Sequence, residues 1–142
     1  MASVVDFFDF ICNTLDIRFF AGLACSETSL FHNNMSSEFM HYIPATNAQI
    51  AVGMVNGATL AGMKSAVLIG SSKLRGIDFT FNIDNEIPLL VLAVGKDQIV
   101  LKNNIYNIVM LDDFEVSLNR IINYINTRNK PGILLINTEV LI

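Results

Sequence analysis

An unbroken apolar run, Pro88–Val94, constrains the fold of this chain more than any other segment. A strand that is apolar on both faces has to be buried on both faces, which is typical of parallel sheets covered by helices. Short apolar runs of this kind recur along the chain, separated by segments with apolar residues at helical spacing. This alternation predicts an α/β fold in which a parallel sheet lies between two layers of helices.

The predicted elements alternate along the chain. Strands are predicted at Ile17–Leu23, Phe39–Ile43, Ser65–Gly70, Pro88–Val94, Ile105–Leu111 and Gly132–Val140. Helices are predicted at Val4–Leu15, from Ser26 onward, from an N-cap at Asn47 to about Ala61 with Gly62 as C-cap, and at Phe114–Thr127 after a cap at Asp112–Asp113. Ser71–Asn82 is predicted as a loop that could include a helix. No repeat or linker divides the chain, so residues 1–142 are expected to form a single domain.

The composition excludes several classes of function. Lysine and arginine are scattered, and the net charge is −4, so nucleic-acid binding is not expected. The apolar runs are too short to span a membrane, and the opening residues lack the basic segment of a signal peptide. Cys12 and Cys25 form no metal pattern and no disulfide framework, which favours a reducing cytoplasm.

The low fraction of charged residues points to assembly. Only 15% of the residues are charged, and the mean hydropathy of +0.49 is high for a soluble monomer. Burial of apolar surface against other subunits explains this balance better than a membrane does. Gly53, Gly57 and Ala61 follow one another at helical spacing and offer a small-residue face that another backbone could approach closely.

Three segments in order resemble one known family. They are Phe19–Ser26, the stretch Tyr42–Gly62 with its small-residue helix, and Ile87–Gly95. Together they resemble the pyrimidine-binding (PYR) domain of thiamine-diphosphate enzymes. The likeness is greatest to the α subunit of sulfopyruvate decarboxylase and to the matching half of phosphonopyruvate decarboxylase. The resemblance implies the three-layer PYR fold and a role in the decarboxylation of a small 2-oxo acid.

The departures from the family fall on the chemistry. In the family a glutamate hydrogen-bonds N1′ of the aminopyrimidine and so promotes loss of the C2 proton of the thiazolium; that position here is Ala48. A second family glutamate is Ile50, and the loop Gly70–Gly76 keeps only Ser72 and Leu74 of the family pattern. The Gly-Asp-Gly segment that holds the diphosphate and Mg²⁺ in such enzymes is not found. The resemblance therefore implies that thiamine diphosphate with Mg²⁺ is shared with a separate β subunit.

The candidate site residues lie in loops that follow predicted strands, where ligands of parallel sheets bind. Those loops are Ala24–Ser26, Pro44–Ala48, Gly70–Gly76 and Val94–Asp97. The resemblance assigns cofactor contacts to Asn47, Ala48, Gln49, Ser71 and Ser72. On the substrate side the candidates are Cys25, Ser26, Lys73 and Arg75. No catalytic side chain and no metal ligand is assigned.

Each candidate also has a structural interpretation. Ser26 favours a helix N-cap, Cys25 a small buried side chain, and Gln49 a solvated one. For Lys73 and Arg75 a solvated loop is the default, and the alternative is a contact with an anionic substrate or a phosphate. Outside the expected site, His41 is expected to be structural and His32 to be solvated on a polar helix face.

Two functions from different classes are consistent with this pattern, and a third is less so. The first is an oligomeric PYR-type subunit of a thiamine-diphosphate-dependent 2-oxo acid decarboxylase. The second is a catalytically degenerate homologue that acts as a structural or regulatory partner, because Ala48 occupies the position of the catalytic glutamate. The third is an unrelated flavodoxin-like binding module, which the family order of the three matching segments disfavours.

Overall fold

The computed structural model describes residues 3–36, 38–96, 105–110 and 113–138. In these residues all strands are parallel and form one sheet in the order β2-β1-β3-β4-β6-β5. The strands are β1 Phe19–Gly22, β2 His41–Pro44, β3 Ser65–Gly70, β4 Leu89–Val94, β5 Tyr106–Met110 and β6 Pro131–Ile136. The α-helices are α1 Val4–Asp9, α2 Ser29–His32, α3 Ala48–Leu60, α4 Thr80–Asp84 and α5 Phe114–Arg128. The predicted α/β fold is confirmed.

The strand β4 is buried on both faces, as its apolar sequence predicts. Every residue of β4 is buried, and alternate side chains enter two separate cores. Leu90 and Leu92 face the core formed with α1, α2 and α5, whereas Val91 faces the core formed with α3. The sheet is therefore the middle layer of three, and apolar burial on its two sides holds the layers together.

The helix α3 is bounded as its end residues predict. The side chain of Asn47 accepts a hydrogen bond from the backbone N–H of Ile50 at 2.9 Å, which caps the first turn. At the other end Gly62 adopts a φ of +90°, and the N–H of Met63 donates to the carbonyl of Ala58. A left-handed residue just beyond the last turn is the usual way for a helix to end at glycine.

Several element boundaries differ from the sequence prediction. The strand β2 begins at His41 rather than Phe39 and includes Pro44, which an edge strand tolerates because no partner needs its missing N–H. The last strand ends at Ile136 because its neighbours β4 and β5 end in the same register. Ser71–Asn82 contains a 3-10 turn, Ser71–Gly76, followed by the start of α4. Asp97, Leu111, Asp112 and Val140, which belong to predicted segments, lie outside the described residues. Of the predicted cap Asp112–Asp113, the described residue Asp113 caps α5.

The first helix is longer than α1 alone. It continues from α1 through a π-helical turn, Phe10–Thr14. The helix and this turn together cover most of the predicted Val4–Leu15.

None of the helices in the described ranges is long and apolar enough to cross a membrane.

Gly22 allows β1 and β3 to approach each other closely at the end of the sheet where the loops meet. A Cβ atom at this position would overlap the backbone carbonyl oxygen of Leu68 on β3 and would lie 2.8 Å from its carbon. Backbone atoms inside a sheet cannot move aside as a flexible side chain can, so the strands would have to separate.

We expect Gly22→Ala to lower the free energy of unfolding by about 3 kcal/mol or more, because relief of the overlap breaks part of the β1–β3 pairing. Chemical denaturation followed by circular dichroism measures the change. Gly76→Ala is the matched control, since a Cβ there meets nothing within 4 Å; it should leave the stability unchanged or raise it by about 0.4–1 kcal/mol. Equal stability of the Gly22→Ala protein and the control would contradict the proposed close approach.

Candidate functional site

The loops after β1, β2 and β3 surround a cleft of about 590 Å³ at the carboxyl edge of the sheet. Its walls come from Leu23–Cys25 after β1, Thr46–Gln49 after β2, and Ser72, Lys73 and Gly76 after β3. Parallel strands bring these loops to one edge although they are far apart in sequence. The volume lies within the range of cavities that hold small organic ligands.

Most of the predicted site residues meet in this cleft. The cleft is lined by Cys25, Asn47, Ala48, Gln49, Ser72 and Lys73. The three remaining candidates, Ser26, Ser71 and Arg75, are not part of its wall. Ser71 is buried at the start of the 3-10 turn, whereas Arg75 is exposed on the same turn.

The two polar side chains at the start of α3 are engaged with the protein's own backbone. Asn47 caps the helix, and the amide of Gln49 makes two hydrogen bonds to the backbone of Asp78. The N–H of Asp78 donates to Gln49 Oε1 at 2.7 Å, and Gln49 Nε2 donates to the carbonyl at 3.2 Å. Between them, Ala48 is 5% exposed, and together with Leu23 and Ala24 it provides the apolar part of the wall. Gln49 therefore fixes the loop at Asp78 against the start of α3.

The turn after β1 is capped by Cys25 and not by Ser26. The turn spans Ser26–Thr28, and the N–H of Cys25 donates to Thr28 Oγ1 at 3.3 Å. The Sγ of Cys25 also lies 3.6 Å from that hydroxyl oxygen. Thr28 is fully buried and organises the turn, which leaves Ser26 as its exposed first residue. The predicted N-cap at Ser26 is therefore wrong by one residue.

Glu27 is the residue at this edge that the sequence analysis did not recognise. Ser71 Oγ donates a hydrogen bond to Glu27 Oε2 at 3.2 Å, and Ser72 Oγ donates to Glu27 Oε1. In the sequence Glu27 is an acid in the first turn of a helix, a position that the helix dipole already explains. The signal that could have revealed it is its place two residues after Cys25, at the mouth of a parallel sheet.

Two glycines make room for the Glu27 carboxylate at the ends of β3 and β4. A Cβ on Gly70 would overlap Glu27 Oε1, and a Cβ on Gly95 would lie 2.7 Å from Glu27 Oε2 and overlap Ser71 Oγ. The carboxylate therefore lies over the carboxyl ends of two central strands, where neither strand end presents a side chain. It joins the loop after β1 to the loop after β3.

His32 packs against the ring of Tyr42 instead of being solvated, so that prediction is wrong. The two rings meet edge to face with centroids 4.6 Å apart, because the short helix α2 lies beside the edge strand β2. Burial lowers the pKa of His32, although a hydrogen bond with the backbone of Leu23 acts in the opposite direction. Burial, and then the nearby Cys25, raise the pKa of Tyr42 to about 12. His41, which was expected to be structural, is exposed on β2.

The residues of the cleft suit the aminopyrimidine ring of thiamine diphosphate, the cofactor that the family resemblance implies. The cleft has room for an aminopyrimidine ring, an apolar wall at Ala48 and hydrogen-bonding groups at Ser72 and in the adjacent backbone. Among the described residues there is no cluster of three or more His, Cys, Asp or Glu side chains that could hold a metal ion. The apolar wall and the hydroxyl group of the cleft suit the ring.

The fold of the chain is that of one region of several solved enzymes. It superposes on a thiamine diphosphate-dependent 4-hydroxybenzoylformate decarboxylase from Rhodococcus jostii RHA1 with a TM-score of 0.80 and 15% identity, over 98% of this chain and 31% of that one. A putative thiamin diphosphate-dependent enzyme from Mycobacterium smegmatis matches with a TM-score of 0.77 and 15% identity, over 99% and 32% of the two chains.

A third structure has a different activity. The 2-oxoglutarate:ferredoxin oxidoreductase from Magnetococcus marinus matches with a TM-score of 0.73 and 16% identity, over 97% of this chain and 29% of that one. The chain thus spans about a third of the length of the proteins it matches. The sequence matches no protein-family model and no curated protein. At these identities the comparisons establish the fold alone.

Proposed function

We propose that this chain is the PYR-type subunit of a thiamine-diphosphate-dependent enzyme that acts on a small 2-oxo acid. The observation that carries the proposal is the cleft, whose walls contain six of the nine candidate site residues, among them four of the five that the family resemblance assigns to the cofactor. The solved enzymes with this fold that are described as thiamine-dependent support the same cofactor. The resemblance to sulfopyruvate and phosphonopyruvate decarboxylases favours decarboxylation over other reactions of the cofactor.

The chain's own residues would hold and orient the pyrimidine ring. Ala48 would pack against one part of the ring, Ser72 would supply a hydroxyl group, and the backbone at Asn47 and Gln49 would close the wall. Lys73, on the same wall, carries the positive charge that suits the carboxylate of a 2-oxo acid. When bound, thiamine diphosphate supplies the carbanion chemistry, and the protein supplies placement and control of protons. A β subunit would hold the diphosphate and Mg²⁺.

The second candidate function is a degenerate homologue that serves as a structural or regulatory partner. Ala48 favours it, because a buried methyl group can neither hydrogen-bond N1′ nor move a proton. The two functions differ in whether the cleft still binds the ring. In the first function, an aminopyrimidine binds in the cleft. In the second function, the cleft binds no ring and its residues only stabilise the fold.

Calorimetric titration of the wild type with thiamine separates these functions, and the substitution Ala48→Glu tests whether position 48 faces N1′. If the ring binds as proposed, the new carboxylate forms a charge-assisted hydrogen bond to N1′, worth about 1.5–3 kcal/mol, so binding of thiamine should tighten by about tenfold or more. Calorimetric titration with thiamine measures the change. Exchange of the thiamine C2 proton should accelerate by about 10²–10⁴-fold if no other group of the chain already assists it, and by less if one does.

The control is Ala48→Gln, which adds similar bulk without the charge and should not reproduce the gain. In the free chain Ala48→Glu should lower stability, since burial of an unpaired carboxylate is unfavourable. Suppose that thiamine binds the wild type, and that Ala48→Glu changes neither its affinity nor the exchange rate of its C2 proton. That result would show that position 48 does not face N1′. Thiamine that binds neither protein would favour the structural role.

We also propose that the exposed face of α3 joins two copies of the chain. This face carries Ile50, 43% exposed, and Leu60, 69% exposed, on either side of the glycines Gly53 and Gly57. A Cβ at either glycine meets nothing within 4 Å, so both are open in the isolated chain. Apolar side chains flanking a flat strip of backbone are well suited to close packing against another helix of the same kind.

Gly57→Leu should weaken self-association, because the added side chain separates helices that pack through their backbones. We expect a cost of about 1–3 kcal/mol in the free energy of dimer formation, as for other overpacked contacts. Sedimentation velocity at micromolar concentration measures the dimer fraction. Asn119→Leu adds the same side chain to the exposed surface of α5 and should leave the dimer intact. A wild-type chain that stays monomeric would contradict the proposed interface.

A further inference from the structure

We propose that Glu27, acting through Ser72, is the group that holds and exchanges a proton with the ring in the cleft, in place of the glutamate that is missing at Ala48. This inference rests on the proposed function, because it assumes that the ligand is an aminopyrimidine. The juxtaposition that supports it is the hydrogen bond from the cleft-lining Ser72 hydroxyl to the Glu27 carboxylate.

The path from the cleft to the carboxylate passes through one hydroxyl group. Ser72 lines the cleft and donates its proton to Glu27 Oε1, so the Ser72 oxygen still has a lone pair for a donor inside the cleft. A protonated ring nitrogen could donate to that oxygen. The ring nitrogen would then lose one proton to Ser72 Oγ as the proton of Ser72 moves to Glu27. No electrons are transferred, and the reverse step restores both groups.

The fold holds the carboxylate in this place. Its second oxygen, Oε2, accepts from Ser71 Oγ at 3.2 Å, and Ser71 is buried with 2% exposure. Gly70 and Gly95 leave the space that the two oxygens occupy, and an added Cβ at either glycine would displace them. Two serines and two glycines at the ends of β3 and β4 thus accommodate one carboxylate at the edge of the cleft, which a helix-dipole role for Glu27 does not require.

The other polar groups of the cleft are less suited to this role. The amide of Gln49 is committed to the backbone of Asp78, and the Asn47 side chain caps α3. The carboxylate of Asp78 is itself engaged by the N–H and hydroxyl of Thr80. Among the carboxylates that the structure describes, Glu27 is therefore the one best placed for this role, because the Ser72 hydroxyl group connects it to the cleft.

The test uses the full chain and a probe without diphosphate, 4-amino-5-hydroxymethyl-2-methylpyrimidine labelled with ¹⁵N in the ring. Calorimetry gives its affinity, and ¹⁵N chemical shifts against pH give the protonation of the bound ring. In the wild type we expect the ring nitrogen to stay protonated to higher pH than in the free probe, because a carboxylate behind Ser72 stabilises the N–H form.

Three variants separate the contributions. Glu27→Gln keeps the shape and one acceptor oxygen but removes the charge, and it should return the ring protonation to that of the free probe and weaken binding by about tenfold, as for a lost charge-assisted hydrogen bond. Gly95→Ala keeps the charge but displaces Glu27 and Ser71, and it should act in the same direction. Glu38→Gln removes an exposed acid elsewhere and should change neither quantity.

The failure of this inference differs from the failure of the proposed function. A probe that binds Glu27→Gln with wild-type affinity and wild-type protonation would overturn the role of Glu27 and leave the pyrimidine site standing. A probe that does not bind the wild type at millimolar concentration would overturn the pyrimidine site, and the role of Glu27 with it. Circular dichroism of each variant shows whether a loss of binding reflects a loss of fold.

Discussion

The structure depends on burial of the central strand β4 on both faces. Because every side chain of Leu89–Val94 is buried, the chain must supply helices on both sides of the sheet. Parallel strands joined by crossovers meet that requirement, and their carboxyl ends then meet at one edge. The loops after β1, β2 and β3 are brought together by this geometry alone. The cleft is thus a consequence of how the core is built, and its chemistry is set by the residues at the strand ends.

The chemistry at that edge differs from the one the family resemblance implies. The resemblance places the family glutamate at Ala48, a methyl group, and the polar side chains on either side of it are used to fix α3 and the loop at Asp78. A carboxylate is nevertheless present, on the neighbouring loop after β1 and hydrogen-bonded to two serines. Under the proposed role of Glu27, the acid of the site has moved from α3 to an adjacent loop. Glycines at two strand ends leave room for it there.

The sequence predicts the layers of this fold better than its details. Uninterrupted apolar runs mark β3 and β4, and the Asn47 cap with Gly62 marks α3, because those signals are local. The ends of β2 and β6 depend on neighbouring strands and could not be read from their own residues. The packing of His32 on Tyr42 and the contact of Glu27 with Ser71 and Ser72 join residues distant in sequence. Such contacts follow from the topology and leave no local pattern.

The measurement that tests the central claim most directly compares two ligands of the isolated chain. Calorimetric titrations with the hydroxymethyl-aminopyrimidine and with thiamine diphosphate plus Mg²⁺ would be run under identical conditions. If the chain holds only the ring end of the cofactor, the two affinities should be similar, and Mg²⁺ should have little effect. Submicromolar binding of thiamine diphosphate that requires Mg²⁺ would contradict the account, since it would place the diphosphate site on this chain.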